Sequence, residues 1–523
     1  MHGTIDEEAA EKVNAGNGLG GGAQDGLGAR VRGAVIWRTG SQLAAQIVTW
    51  ASTFLVIRLL EPADYGLFAM SQVVLILLTL FNGYGFASAL VQRERIGEAE
   101  IRQAFGLLLL TNGALAAIQV AAAPLAASYY RQPEVADLLR VQAILYLSTP
   151  FIAVPSALLG RTMNFRSEAI VNLIGAAVGA ATALACAFAG WGVWTLVAAA
   201  MAHWWTRALG MTIAGGGLIR PSFRFAGAGP LVAYGFAMIG VQSFWFVQSQ
   251  ADIFIGARML GPHELGLYTT ALFLAQILAA KFVPTLNEVA FAAYSRMQDR
   301  PGALGAVFLR KVRMIMLVAL PFYFGLAATA EPFVRTVLGD KWAETVPILP
   351  ILAMGMTLMT LQILFQPATN AIGKPRIALR IAMAGAAIVP VCVTIGLNWG
   401  VPGLAWGWTA GMAILAAVTA FASMPAIGLK RRSLPGAVAP GLSASAAMAL
   451  AVIGLDSLLP TMTSAPRLFL LAGFGATLYA ALVATFARQA LADLMELLPE
   501  RLRHSVYSRA APPLPPRPDP SGI

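Results

Sequence analysis

The sequence is poor in charged residues, which excludes an ordinary soluble protein. Only 12% of its 523 residues are Asp, Glu, Lys or Arg, and 58% are hydrophobic, whereas a soluble domain carries about 25% charged residues. Apolar runs of about 20 residues recur, each long enough to cross the ~30 Å hydrocarbon core of a bilayer. The alternating pattern of membrane strands is missing, so helices are expected to satisfy the backbone in lipid. The composition predicts an all-α polytopic membrane protein.

Cysteine and histidine are also scarce, and the motifs of soluble enzymes are missing. Both cysteines, Cys186 and Cys392, fall in apolar runs, so no disulfide framework is expected. The four histidines are scattered, and there is neither a Gly-rich phosphate loop nor a metal-binding spacing of His and Cys. No stretch outside the apolar runs is large enough to bind ATP. We expect no enzymatic activity, no bound metal and no cofactor.

The excess of positive charge follows the expected membrane topology. The formal net charge is +11, and Lys and Arg concentrate in the N-terminal tail, the even-numbered loops and the C-terminal tail. Such a skew marks the cytoplasmic side of a membrane protein. Both termini are therefore predicted to be cytoplasmic, and nucleic acid is not expected as a partner.

Hydropathy divides the chain into two tails and about fourteen predicted transmembrane spans. Residues 1–29 are Gly-rich and are predicted to form a disordered cytoplasmic tail, and residues 488–523 form a Pro-rich cytoplasmic tail. The spans are predicted near residues 33–57, 66–91, 104–128, 140–160, 169–189, 192–213, 230–256, 266–290, 313–333, 346–371, 378–398, 402–425, 436–458 and 467–487.

The chain contains an internal repeat. The sequence Arg-Leu-Leu-Glu-Pro-Ala-Asp-Tyr-Gly-Leu-Phe at 58–68 returns at 258–268 as Arg-Met-Leu-Gly-Pro-His-Glu-Leu-Gly-Leu-Tyr. Each copy, called here the turn motif, is interpreted as a tight turn between spans whose acidic residue caps the next helix. Two six-span halves are predicted, 30–225 and 226–430, followed by two additional spans in 431–487. Because six is even, the halves share one orientation, as in transporters whose repeats rock about a substrate site.

Polar side chains inside the predicted spans are the candidate site residues, because lipid normally excludes charge. On spans one, seven, eight and ten they recur at helical spacing along one face. A cationic, amide-lined cavity suits an anionic, hydroxyl-rich substrate. The predicted substrate-binding residues are Arg38, Gln42, Gln46, Gln242, Lys281, Gln362 and Gln366. The predicted ion-coupling residues are Asp252 and Glu288.

Each candidate also has a structural interpretation. Arg38 lies near the cytoplasmic edge of its span, from which its side chain could reach the interface. Asp252 could cap its helix or pair with Arg258. Lys281 and Glu288, two helical turns apart, could form structural ion pairs, and glutamines often bond one membrane helix to another.

Several short stretches resemble one protein family. Residues 59–67 resemble the LL-x-P-x-[DE]-[YF]-G turn of oligosaccharide flippases in the multidrug/oligosaccharidyl-lipid/polysaccharide (MOP) superfamily. Residues 89–93, 123–130, 192–197 and 260–268 look like its Wzx-type, colanic-acid-exporter branch. The resemblance implies the MOP flippase fold, with about fourteen transmembrane helices arranged as two six-helix repeats and two C-terminal helices.

The same resemblance implies a function. It is that of a flippase that translocates undecaprenyl-diphosphate-linked oligosaccharide repeat units across the bacterial inner membrane for exopolysaccharide or lipopolysaccharide biosynthesis. The expected partners are this lipid-linked oligosaccharide, membrane lipid, and the polymerase and export proteins of the same pathway.

Two alternatives stay open. A cation-coupled multidrug antiporter of the same superfamily would need an apolar, acidic cavity, whereas the predicted cavity holds more cations than acids. A membrane polysaccharide polymerase or ligase would be expected to have a large periplasmic loop, whereas every odd-numbered loop is short.

Overall fold

A computed structural model describes residues 40, 44–83, 96–162, 164–224, 229–297, 301–460 and 462–486, and all regular structure in these ranges is helical. The helices, in chain order, are α1 Ala44–Leu59, α2 Pro62–Thr79, α3 Glu98–Tyr130, α4 Glu134–Gln142, α5 Thr149–Arg161, α6 Phe165–Phe188, α7 Trp194–Ala214, α8 Gly229–Met259, α9 Pro262–Ser295, α10 Pro301–Ala328, α11 Ala330–Val337, α12 Ile348–Ile363, α13 Phe365–Ala371, α14 Pro375–Gly396, α15 Gly400–Ser423, α16 Ser433–Leu458 and α17 Ser464–Phe486.

The predicted all-α membrane architecture is confirmed. Nine helices in the described ranges are long and apolar enough to cross a membrane, and each predicted span overlaps one of the helices α1–α17. The ninth predicted span begins at residue 313, but α10 begins at Pro301. Its basic N-terminal part is therefore a continuous extension of the apolar helix.

The chain divides into two compact units. Unit 1 comprises Met1–Phe246 and Ala257–Gly266, and unit 2 comprises Val247–Gly256 and Leu267–Ile523. Helix α8 contributes residues to both units, and both copies of the turn motif up to Gly266 belong to unit 1.

Both copies of the turn motif end one helix and start the next, as predicted. In the first copy the Glu61 backbone N–H donates to Asp64 Oδ2 at 3.0 Å, so the acidic side chain caps α2. In the second copy the Gly261 N–H donates to Glu264 Oε2 at 3.4 Å at the start of α9. A carboxylate in the first turn satisfies a free backbone N–H and complements the helix dipole.

The two copies also contact each other inside unit 1, with glycine on both sides. A Cβ atom added at Gly66 would lie 1.8 Å from the Pro262 carbonyl oxygen. A Cβ atom added at Gly266 would lie 1.7 Å from the Pro62 carbonyl oxygen. The contact is reciprocal, as expected for repeated sequences related by a twofold operation. Only glycine permits backbones to approach so closely.

Unit 1 contains a buried polar network at a break in a transmembrane segment. Helices α4 and α5 are separated by a 3-10 turn, Ala143–Ser148. From this turn the Tyr146 hydroxyl donates to Gln119 Oε1 at 2.8 Å, and Gln119 Nε2 donates to the Leu139 carbonyl at 2.8 Å. Gln142 Nε2 donates to Ser71 Oγ at 2.9 Å. These bonds join α2, α3 and α4 where the helical backbone pattern changes.

Unit 2 has an aromatic core. Phe308 of α10 and Phe365 of α13 are fully buried, with ring centroids 4.7 Å apart. Helix α17 joins this unit through the Tyr479 hydroxyl, which donates to the Leu317 carbonyl at 2.6 Å.

Ion pairs also connect the last two helices to the rest of unit 2. Arg467 of α17 donates to both oxygens of Asp456 of α16, at 2.6 and 2.8 Å. It also lies 3.9 Å from Glu331 of α11, which pairs with Arg335 at 3.2 Å. A hydrogen bond to Asp340 is the main cause that raises the pKa of Arg335 above its usual value. The additional helices are thus bonded to the second half by charged groups.

Candidate functional site

Two of the four predicted substrate-binding residues of unit 1 lie within the described residues. Arg38 and Gln42 lie outside the described residues. Gln46 on α1 is half-buried, and Gln242 on α8 is exposed. These positions are available to a ligand, and their role stays a prediction.

In unit 2 the predicted polar residues lie on three helices. Lys281 on α9 and Gln366 on α13 are exposed, and Gln362 on α12 is half-buried. Glu288 is also exposed on α9. Within the described ranges no ion pair joins it to Lys281. A structural ion pair between these two residues is therefore not observed.

Asp252 is the predicted site residue that is completely buried. Its side chain is 0% exposed, and its Oδ2 accepts a hydrogen bond from the Tyr268 hydroxyl at 2.7 Å. Its Oδ1 is buried and has no hydrogen-bond partner among the described residues. The Arg258 guanidinium, in unit 1, donates to the Tyr129 carbonyl and lies over the Tyr129 ring.

A buried carboxylate with one unpartnered oxygen requires compensation. Transfer of an ionised carboxylate from water into an apolar interior is very unfavourable unless it is paired or coordinates a cation. The Tyr268 hydroxyl supplies one hydrogen bond to one oxygen. A proton or a small cation at Oδ1 would complete the pairing.

The first half of the repeat does not carry this buried pair. Ser52 and Asp252 both stand six residues before the arginine that opens their copy of the turn motif. Phe68 and Tyr268 are the last residues of the two copies. The first half therefore has Ser and Phe where the second half has Asp and Tyr.

A second polar cluster, missed by the sequence analysis, lies on α9 and α10 in unit 2. The Lys311 ammonium donates to Asn287 Oδ1 at 2.7 Å and lies 5.6 Å from the centre of the Tyr294 ring. Asn287 Nδ2 donates to the Ile363 carbonyl at 3.2 Å, at the junction of α12 and α13. The sequence analysis did not select Lys311, because Arg310 and Arg313 lower the local hydropathy and place it in a loop.

Unit 1 holds an arginine inside the predicted span 192–213 that was not among the predicted site residues. Arg207 of α7 lies 4.9 Å from the centre of the Trp204 ring. A Cβ atom added at Gly175 of α6 would lie 2.7 Å from its Cγ. Arg207 is therefore packed in the contact between α6 and α7, where its aliphatic stem fills the space above a glycine.

Comparisons with known proteins support the same family. A family model described as "Polysaccharide biosynthesis protein" matches residues 55–347. The chain is 29% identical over 319 residues to the succinoglycan biosynthesis transport protein ExoT of Rhizobium meliloti, covering 61% of this chain and 64% of that protein. It is 21% identical over 303 residues to the lipopolysaccharide biosynthesis protein WzxC of Escherichia coli, covering 57% and 61%. These alignments span less than two thirds of each relative.

Two groups of solved structures share the fold. A lipid II flippase, MurJ, in an inward closed conformation matches with a TM-score of 0.71 at 12% identity, over 87% of this chain and 100% of that one. An inward-facing multidrug resistance MATE family transporter of the MOP superfamily matches with a TM-score of 0.58 at 16% identity, over 73% and 94%. The predicted MOP fold is confirmed, while the count of fourteen spans and their division into two six-helix repeats and two further helices stay predictions.

Proposed function

The chain belongs to the polysaccharide biosynthesis protein family, and on this premise we propose that it is a flippase for undecaprenyl-diphosphate-linked oligosaccharide repeat units. It moves them from the cytoplasmic to the periplasmic leaflet of a bacterial inner membrane by alternating access, with both termini in the cytoplasm. The observation that carries the proposal is the family match over most of the first half and part of the second. The names of the relatives, a succinoglycan transport protein and a lipopolysaccharide biosynthesis protein, favour this substrate class over drugs.

Deletion of the gene in its own host tests the proposal. We expect loss of secreted polymer, with complete undecaprenyl-linked repeat units accumulating on the cytoplasmic side. Single repeat units in the periplasmic leaflet would instead identify a polymerase or ligase. Unchanged polymer together with lost drug efflux would identify the antiporter.

Within this function, we assign substrate contacts to the predicted polar residues. Arg38 and Lys281 attract the diphosphate, because a cation and a phosphoryl oxygen form charge-assisted hydrogen bonds. The amides of Gln42, Gln46, Gln242, Gln362 and Gln366 bond to the sugar hydroxyls. Polymer export by Arg38→Ala and Lys281→Ala tests this, with Lys374→Ala, an exposed lysine between α13 and α14, as the matched control. Normal export by both cavity variants at equal protein levels contradicts the assignment.

Asp252 carries the coupling cation in this proposal, and the exposed Glu288 is the second candidate for the same role. The support is the burial of Asp252 and its unpartnered Oδ1. A charge buried in a membrane protein normally serves transport, because it otherwise only destabilises the fold. A proton or a monovalent cation that binds at Oδ1 in one conformation and leaves in the other would link transport to an ion gradient.

The repeat supplies a substitution that separates coupling from stability. The double variant Asp252→Ser, Tyr268→Phe installs in the second half the residues that the first half carries at Ser52 and Phe68. We expect it to unfold at a temperature close to that of the native protein but to lose the dependence of flipping on a proton or sodium gradient in liposomes. Ser52→Ala is the matched control and should retain that dependence. An unaltered gradient dependence in the double variant would exclude Asp252, and the same assay on Glu288→Gln would then test the other candidate.

A further inference from the structure

Lys311 is a cation without a visible counter-charge. Within the described residues, no carboxylate lies within 4.0 Å of its ammonium group, and its one hydrogen bond is to the neutral Asn287. An ammonium group has three N–H donors. The side chain is half-buried, so the positive charge is partly removed from water. Its remaining N–H donors are therefore open to water or to an anionic ligand.

Asn287 and Tyr294 fix the position of this ammonium group. Asn287 is held by its bond to the Ile363 carbonyl, which leaves its own carbonyl oxygen directed to Lys311. Tyr294 is 0% exposed, and its hydroxyl has no hydrogen-bond partner among the described residues. Its ring face stabilises the cation next to it. The cluster thus holds a pre-oriented ammonium group and a buried hydroxyl donor on adjacent helices.

The first half carries no cation at the corresponding position. Phe105 packs edge-to-face on Phe151 with centroids 5.3 Å apart in unit 1, and Phe308 packs on Phe365 in unit 2. Helix α3 begins at Glu98 and α10 at Pro301, so Phe105 and Phe308 each stand seven residues after the start of their helix. Three residues after the first phenylalanine of each pair stand Leu108 and Lys311. Leu108 is 0% exposed, so the equivalent position in the first half holds an ordinary core residue.

The position of Lys311 along the chain suits a ligand at the cytoplasmic surface. It lies in the basic N-terminal part of α10, between Arg310 and Arg313, which the distribution of Lys and Arg assigns to the cytoplasmic side. Phosphoryl groups attached to lipids lie at the membrane surface. Their oxygens accept hydrogen bonds from ammonium and hydroxyl donors.

We propose that Lys311, positioned by Asn287 and Tyr294, forms a phosphoryl-binding subsite that receives the diphosphate of the lipid-linked substrate at the cytoplasmic leaflet. The inference rests on the proposed flippase function and adds to it a recognition residue in unit 2. The ligand chemistry that this subsite recognises is a phosphoryl group attached to a lipid. It could come from a polyprenyl diphosphate or from an anionic phospholipid, and the experiment distinguishes the two.

Binding is measured on the full-length protein in phosphatidylcholine nanodiscs, with undecaprenyl diphosphate as one probe and phosphatidylglycerol as the other. Lys311→Leu installs the residue of the first half and is expected to fold, which its unfolding temperature verifies. We expect it to weaken undecaprenyl diphosphate binding about tenfold or more, the effect of losing a hydrogen bond to a charged group. Lys311→Arg should retain most of the affinity, and Lys374→Leu should bind like the native protein.

The outcomes separate the possibilities. Weaker binding of undecaprenyl diphosphate with unchanged phosphatidylglycerol binding supports the subsite. An equal loss for both probes, or a loss for phosphatidylglycerol alone, assigns the cluster to membrane lipid and overturns the proposal. Unchanged binding of both probes overturns it as well. Polymer export in the gene-deletion strain is scored separately, so failure of the flippase function and failure of the Lys311 subsite give different results.

Discussion

Replacing Gly66 by alanine is expected to destabilise the protein, because the turn motifs contact each other through backbone atoms. The new Cβ atom would lie 1.8 Å from the Pro262 carbonyl oxygen, and real Cβ contacts are essentially never below 3.0 Å. The first turns of α2 and α9 must therefore separate by more than an ångström, since a backbone carbonyl cannot rotate away as a flexible side chain would. Overpacking of this kind costs about 1–3 kcal/mol. It exceeds the gain of up to ~1 kcal/mol from the higher helix propensity of alanine.

Because the contact is reciprocal, the same prediction can be tested from the other copy of the turn motif. Gly266→Ala should be destabilising to a similar degree, because its Cβ atom would lie 1.7 Å from the Pro62 carbonyl oxygen. The double variant should be less destabilised than the sum of the two, since either substitution alone already opens the shared contact. Gly113→Ala on α3 is the control, because a Cβ atom there meets nothing within 4 Å.

The assay is thermal unfolding of the purified protein in detergent, with all variants heated at one scan rate, since large proteins often unfold irreversibly. Gly113→Ala should unfold at the native temperature or slightly above it, and Gly66→Ala clearly below it. Equal unfolding temperatures for Gly66→Ala and Gly113→Ala would refute the close backbone contact between the turn motifs.

The remaining predictions concern unit 2, and the same unfolding assay measures each of them. Phe308→Ala removes a fully buried ring from the aromatic core and should lower the free energy of unfolding by about 3–5 kcal/mol. Phe469→Ala on α17, whose side chain is 75% exposed, should lower it far less. A similar loss of stability from both variants would contradict the core assignment. Tyr479→Phe loses the hydrogen bond to the Leu317 carbonyl and should cost about 1 kcal/mol; an unchanged unfolding temperature would mean that water replaces that bond. Asp456→Asn weakens the two hydrogen bonds with Arg467 and should lower the unfolding temperature more at low salt than at high salt. The same decrease at both salt concentrations would show that the stabilisation by this pair is not ionic.

The sequence predicts the helices because each long apolar run has to cross the same bilayer thickness. The turn motif was correctly predicted as a capped turn, since Pro62, Asp64 and their counterparts act on neighbouring backbone atoms. The contact of Gly66 with Pro262 could not be predicted from local sequence. It joins positions far apart in the chain, and glycine in a turn is also expected for conformational reasons alone.

The predicted site residues do not include Lys311, for a different reason. Hydropathy averages over a window, so Lys311 is hidden among basic neighbours and α10 was predicted to begin at residue 313. The internal repeat contains the information that identifies these residues. Comparison of Lys311 with Leu108, and of Asp252 with Ser52, separates the residues that build the fold from those added to it in one half.

The ion pairs of Arg467 have a consequence for how the protein is made. Glu331 and Arg335 leave the ribosome well before Asp456 and Arg467, the residues that complete their network. Until α16 and α17 have been synthesised and inserted, these earlier charges face water or lipid headgroups. The last two helices therefore complete this charge network only at the end of synthesis, and a chain truncated before α16 would lack the Arg467 partner of Glu331.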